Sequence, residues 1–296
     1  MRSQKYIVAF IVGFLISLLA AVPGSQAQTK LEQDSAVNDG CLRCHGAQGL
    51  KTKQDGKVVS LWVNEEAFGK SIHGTNSCTS CHQGYTDFPH QGTLKGEALS
   101  QQTNARCREC HADVTKVYMA GAHGKALSEG KKTALCSDCH GIHNIRKHED
   151  PSAMVYKNNI PHTCTKCHEG RIAISYEESF HGKAVLLGSQ KSPSCADCHG
   201  SHDILGPKAA NSPVNKNNIP DTCAKCHRVP YENFAKGTEH FVLEKGGPGE
   251  PMFYTLKFFV WLTIIVITLL IIHMELELYR KLKKALEKRK AEKEGL

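Results

Sequence analysis

Cys136-Ser137-Asp138-Cys139-His140-Gly141-Ile142-His143 is the stretch on which the reading of this chain turns. Cys195-Ala196-Asp197-Cys198-His199-Gly200-Ser201-His202 repeats it further on. Its core, Cys-x-x-Cys-His, occurs seven times, beginning at Cys41, Cys78, Cys107, Cys136, Cys164, Cys195 and Cys223. Those copies use all 14 cysteines of the 296-residue chain.

Two thiols at this spacing can each form a thioether to a vinyl group of one haem, and the next histidine can ligate the iron from the same side. The motif therefore reads as c-type haem attachment, with seven covalent haem c groups expected. Their sulfurs would be Cys41 and Cys44, Cys78 and Cys81, Cys107 and Cys110, Cys136 and Cys139, Cys164 and Cys167, Cys195 and Cys198, and Cys223 and Cys226. Their proximal ligands would be His45, His82, His111, His140, His168, His199 and His227. Zinc sites would use Cys-x-x-Cys pairs two at a time. Seven is an odd number, and zinc gives no reason for a histidine behind every pair. Structural disulfides do not use this spacer.

Outward from the motif the chain repeats itself. Gly121-Ala122-His123-Gly124-Lys125, Cys136 to His143, Asn158-Asn159-Ile160-Pro161 and Cys164 to His168 form one unit. Phe180-His181-Gly182-Lys183, Cys195 to His202, Asn217-Asn218-Ile219-Pro220 and Cys223 to His227 form the next. A looser copy, with His73-Gly74, Cys78 to His82, His90 and Cys107 to His111, precedes them. The expected haem domain, 28–250, is thus a single-haem start (28–70) and three two-haem units (71–116, 117–175 and 176–240). So little polypeptide per haem cannot build a conventional core. The expected fold is mainly α and irregular, with macrocycles supplying buried apolar surface and an apoprotein that does not fold.

Ten of the 17 histidines lie outside the motifs. Repeat logic selects His73, His90, His123, His143, His181 and His202 as distal ligands, and His240 completes one per haem. Only Met119 and Met154 compete within the domain, so bis-histidine ligation is the economical reading. One consistent scheme gives His73 to the Cys41 haem, His123 to the Cys107 haem, His181 to the Cys164 haem and His240 to the Cys223 haem. His90, His143 and His202 then serve the Cys78, Cys136 and Cys195 haems or exchange with near neighbours. A histidine three residues beyond a proximal one cannot easily reach the far face of the same haem, so exchange is expected for His143 and His202. His148 and His162 do not recur and read as surface residues.

Residues 1–27, with basic Arg2 and Lys5, an apolar run from Tyr6 to Val22 and a small-x-small ending at Ala27, read as a signal peptide. Phe253 to Ile272 is an apolar stretch of spanning length within an expected transmembrane helix, 251–274. The tail 275–296 carries eight basic residues, which places it in the cytoplasm and the haem domain in the periplasm. Residues 28–250 hold 26 basic and 24 acidic side chains. Haem propionates would therefore make the assembled domain acidic, and the formal charge of +8 gives no reason to invoke nucleic acid.

The His-Gly-Lys and Cys-x-x-Cys-His-Gly-x-His repeats, joined to a C-terminal anchor, resemble the multihaem c-type cytochromes of anaerobic bacterial respiration. The nearest resemblance is to heptahaem subunits that accompany a b-type membrane cytochrome in quinone-linked complexes, over about residues 41–280. It implies electron relay between the quinone pool, through a b-type or other quinone-reactive membrane subunit, and a soluble periplasmic cytochrome or reductase. The expected location is the bacterial cytoplasmic membrane, on a single C-terminal anchor. No catalytic residue is expected on this reading. Two others remain: a multihaem reductase of a small nitrogen or sulfur oxyanion, and a quinol dehydrogenase in its own right. His273, at the inner end of the membrane helix, is either an interfacial residue or a contact for a quinone or partner.

Overall fold

A computed structural model describes residues 37–54, 56–85, 89–90, 94–228, 240–293 and 295. The signal-peptide stretch lies outside the described residues. The chain divides into two compact units, one of Met1–Cys167 with Ala184–Ala235 and the other of His168–Lys183 with Lys236–Leu296.

The described chain is mostly helical and irregular. Residues 37–45 are helical, and a single two-stranded antiparallel sheet follows, β1 (Lys51–Gln54) with β2 (Lys57–Ser60), in register Lys51↔Ser60. The Asp55-Gly56 step between Thr52-Lys53-Gln54 and Lys57-Val58-Val59 is a hairpin sequence, and Gly56 takes the positive φ of 77° that glycine tolerates. Short helices then carry the motifs: α1 (Glu65–Gly69), α2 (Cys78–Cys81), α3 (Gly96–Cys110), α4 (Ala112–Ala120), α5 (Ala122–Ser128), α6 (Cys136–His140), α7 (Ile160–Thr165), α8 (Arg171–Glu178), α9 (Phe180–Leu186), α10 (Cys195–His199) and α11 (Ile219–Ala224). The 44-residue α12 (Glu250–Lys293) ends the chain.

Within the first unit the sequence repeat is also a repeat of hydrogen bonds. Asn159 Nδ2 donates to Pro151 O and Ala153 O, both at 2.8 Å. Asn218 Nδ2 donates to Ala210 O and Ser212 O at 2.7 and 2.9 Å. Thr163 Oγ1 reaches Met154 O at 2.7 Å, and Thr222 Oγ1 reaches Pro213 O at 2.8 Å. These loops would otherwise leave backbone carbonyls unpaired.

The glycine of each His-Gly step has a steric cause. A Cβ on Gly74, Gly124 or Gly182 would stand 2.4 Å from Gly69 O, 2.3 Å from Tyr118 O or 1.9 Å from Tyr176 O. The backbone turns back on itself there, and only glycine permits the approach.

The described residues form almost no side-chain core. Among the described residues the buried apolar side chains are Ala153, Pro161 and Val185, while Ile142 and Phe180 are 67% and 90% exposed. At roughly 25 cal/mol per Å2 of apolar area, three small side chains cannot offset the ordering entropy of so long a chain. Another apolar body must do so.

In the second unit, Arg171 pairs with Glu244 at 2.6 Å, and α12 follows the turn at Gly249. The α12 helix is long and apolar enough to cross a membrane, with a mean hydropathy of 2.5 in its most apolar window. Its threonine hydroxyls are satisfied internally, Thr255 to Pro251 O, Thr263 to Phe259 O and Thr268 to Ile264 O at 2.8, 2.8 and 2.7 Å. That is what a polar side chain needs in lipid. At about 1.5 Å rise per residue, α12 is roughly twice the ~30 Å hydrocarbon thickness, so its basic second half extends beyond the apolar stretch.

Candidate haem sites

Each motif occupies a helical turn or the end of one, so its two cysteines, three residues apart, share a helix face. Asp138 and Asp197 fix two of these turns. The Asp138 carboxylate accepts from Leu135 N, and that of Asp197 accepts from Ser194 N and Ser194 Oγ, at 2.7 to 2.8 Å. Gly141 and Gly200 follow with φ of 81° and 82°, which explains the glycine after His140 and His199. There the chain swings away from the proximal histidine.

Successive motifs are also docked on one another. Asn38 Oδ1 accepts from Cys78 N at 2.7 Å, and Asn104 Oδ1 accepts from Ser137 N at 2.9 Å; each asparagine stands three residues before its own motif. The Cys41 and Cys78, Cys107 and Cys136, and Cys164 and Cys195 thiols lie close enough to perturb one another electrostatically. Cys81 with Cys110, and Cys139 with Cys164, lie within electrostatic reach. The first six motifs therefore adjoin in chain order.

Four histidine pairs carry the geometry of interest. Ring centroids are 6.3 Å apart for His45 and His90, 5.9 Å for His73 and His111, 6.0 Å for His82 and His143, and 5.9 Å for His140 and His202. An iron held between two imidazoles, about 2.0 Å from each nitrogen and ~1.2 Å more to each ring centre, separates the rings by about 6.4 Å. Direct stacking of two small rings would bring them closer. Every pair joins one motif histidine to one outside the motifs.

The pairs redraw the expected scheme. His90, not His73, faces His45 of the first motif. His73 faces His111 of the third, where His123 was expected. His143 and His202 do pair with neighbouring motifs and not with the ones they follow. The cause is a recurring backbone clasp. Ile72 N donates to Ile145 O at 2.9 Å, and Ala122 N donates to Ile204 O at 2.7 Å. In each case the residue before a His-Gly histidine holds the strand two residues after a Gly-x-His histidine of the next repeat. Arg146 Nη1 adds a bond to Lys70 O at 2.8 Å.

The remaining candidates are placed as follows. His123 is half-buried in α5, His181 half-buried in α9, and His199 ends α10. His168 and His227 follow α7 and α11 on exposed turns, and His240 precedes α12. His148 is exposed beside Glu149 at 3.2 Å, and His162 is exposed in α7.

Protonation suits ligation. Burial lowers His73, His82 and His140 from the usual imidazole value, with a neighbouring histidine adding in each case. Burial, then His82 and His45, push His143 down to about 4. Neutral imidazole is the ligating form. His45 Nδ1 lies 2.8 Å from Leu61 O, the residue leaving β2. A carbonyl only accepts, so the proton sits on Nδ1 and the lone pair on Nε2. The hairpin that no repeat predicted orients the first candidate ligand.

Residues 26–112 match the family model described as cytochrome c7 and related cytochrome c. The match spans the first three motifs, and it supports a multihaem c-type cytochrome carrying covalent haem c and serving electron transfer. No curated protein and no solved structure matches the chain. The donor set fits the group, with paired sulfurs on single helix faces, imidazoles at iron-spanning separation and exposed apolar side chains beside the motifs.

Proposed function

We propose that this chain is a membrane-anchored periplasmic cytochrome with seven haem c groups, each bound by two cysteines and two histidines. It relays electrons between the quinone pool, through a b-type or other quinone-reactive membrane subunit, and a soluble periplasmic cytochrome or reductase. Haem c, when bound, supplies one-electron redox chemistry. The chain supplies attachment, two axial nitrogens per iron, and close spacing of successive motifs.

The observation that carries this reading is the separation of 5.9 to 6.3 Å in four histidine pairs, each uniting a motif histidine with one outside. Irons filled on both sides have no position for substrate, which favours a relay over a reductase. The α12 helix supports the anchor, and the basic residues after Met274 support a cytoplasmic tail.

Mass spectrometry of the mature chain tests the cofactor count, and seven adducts are expected. Low-temperature EPR of the oxidised protein tests ligation. Low-spin signals alone support the relay, whereas a high-spin signal that shifts on adding nitrite supports a reductase.

A further inference from the structure

Ser175 lies in α8 and is 2% exposed, so water does not compete for its hydroxyl. Its Oγ is 2.9 Å from Ile172 O and 2.9 Å from His240 Nδ1. A hydroxyl has one proton, and a carbonyl can only accept. Both contacts are hydrogen bonds in one arrangement, with Ser175 donating to Ile172 O and accepting from His240 Nδ1–H. That arrangement leaves the His240 lone pair on Nε2, as Leu61 O does for His45.

We infer that Ser175 is a positioning residue for His240, fixing its tautomer and ring orientation so that Nε2 is presented to a haem iron, and lowering that iron's potential. The inference rests on the proposed bis-histidine reading. An Nδ1–H that donates to a fixed oxygen gives the imidazole more anionic character, which strengthens its donation to iron and favours the oxidised state. The chain from Nδ1–H through the hydroxyl to Ile172 O is polarised in one direction, which reinforces the bond to the imidazole. A helix side chain thereby controls a ligand 65 positions later, which no motif spacing signals.

The full-length holoprotein is the material for the test, as Ser175→Ala, Ser175→Thr and His240→Ala variants, with haem adducts counted by mass. Spectroelectrochemical titration of Ser175→Ala should show one redox step moved to more positive potential, with every iron still low-spin. Ser175→Thr, which keeps the hydroxyl, should restore that step. His240→Ala should convert one iron to high-spin. The inference is overturned if His240→Ala converts an iron while Ser175→Ala leaves every step unmoved. It is equally overturned if the Thr variant behaves as the Ala variant does, or if Ser175→Ala loses a haem adduct, which marks a purely structural role. If His240→Ala leaves all irons low-spin, the ligand role of His240 fails, and the role of Ser175 with it.

Discussion

The imidazole planes of His140 and His202 lie 4° apart with ring centroids 5.9 Å apart, although His202 stands only three residues beyond His199. The clasp from Ala122 N to Ile204 O carries His202 back to the preceding repeat. If one iron lies between these rings, both histidines report on the same site.

This makes a double substitution decisive. His202→Ala should cost one low-spin signal, and His140→Ala should cost one. The combined variant should also cost only one relative to the parent, because both changes fall on one iron. Loss of two signals in the double variant would contradict the pairing.

The relative twist of the rings makes a second prediction. Parallel imidazole planes split the iron d orbitals that the ligand π systems touch, whereas crossed planes leave them nearly degenerate. The His140–His202 site should therefore give a rhombic EPR signal. The His73–His111 site, twisted by 57°, should give a more axial one with a larger maximum g value. Loss of the axial signal in His73→Ala and of a rhombic one in His202→Ala would assign them.

Acid should act late on His143. Its folded value of about 4 lies below the usual 6.5, so folding favours the neutral ring. The stability tied to this group is complete above pH 6.5 and is lost as pH falls through about 4. An iron on the ring competes with the same proton and pushes the loss lower still. The low-spin spectrum should hold from pH 7 to 5, and conversion of the His82–His143 site near pH 6 would count against its burial.

The His-Gly turns should resist even a methyl group. Gly182→Ala would put Cβ 1.9 Å from Tyr176 O, and overpacking of this kind costs about 1–3 kcal/mol. Thermal loss of the low-spin spectrum should come at lower temperature in this variant. Alanine at Gly188, where a Cβ meets nothing within 4 Å, puts a side chain on a positive φ of 93° in open space and serves as the strain-only control.

The haem reading came from the residues alone, because covalent attachment needs its donors in a fixed local order. Cys136 to His140 states its role within five residues. The glycines after it and after His123 became intelligible only in three dimensions, as a positive φ at Gly141 and a close backbone approach at Gly124. Distal pairing was not legible, since it depends on which backbone clasps which. One consistent scheme gave His73 to the first motif, whereas its ring lies 5.9 Å from that of His111 in the third. The β1–β2 hairpin had a signal, Asp55-Gly56 among threonine and valine, that the repeats outshone. Ser175 had none, being an ordinary helix serine until His240 comes beside it.

Because His143 and His202 each reach back one repeat, the array behaves like roof tiles, every course fastened by the one laid over it. Tandem duplication of a whole course would leave each earlier fastening intact, so such a protein can lengthen in steps of two cofactors. Removing the course that holds His202 would strand His140, which makes growth easier than shrinkage for chains built this way.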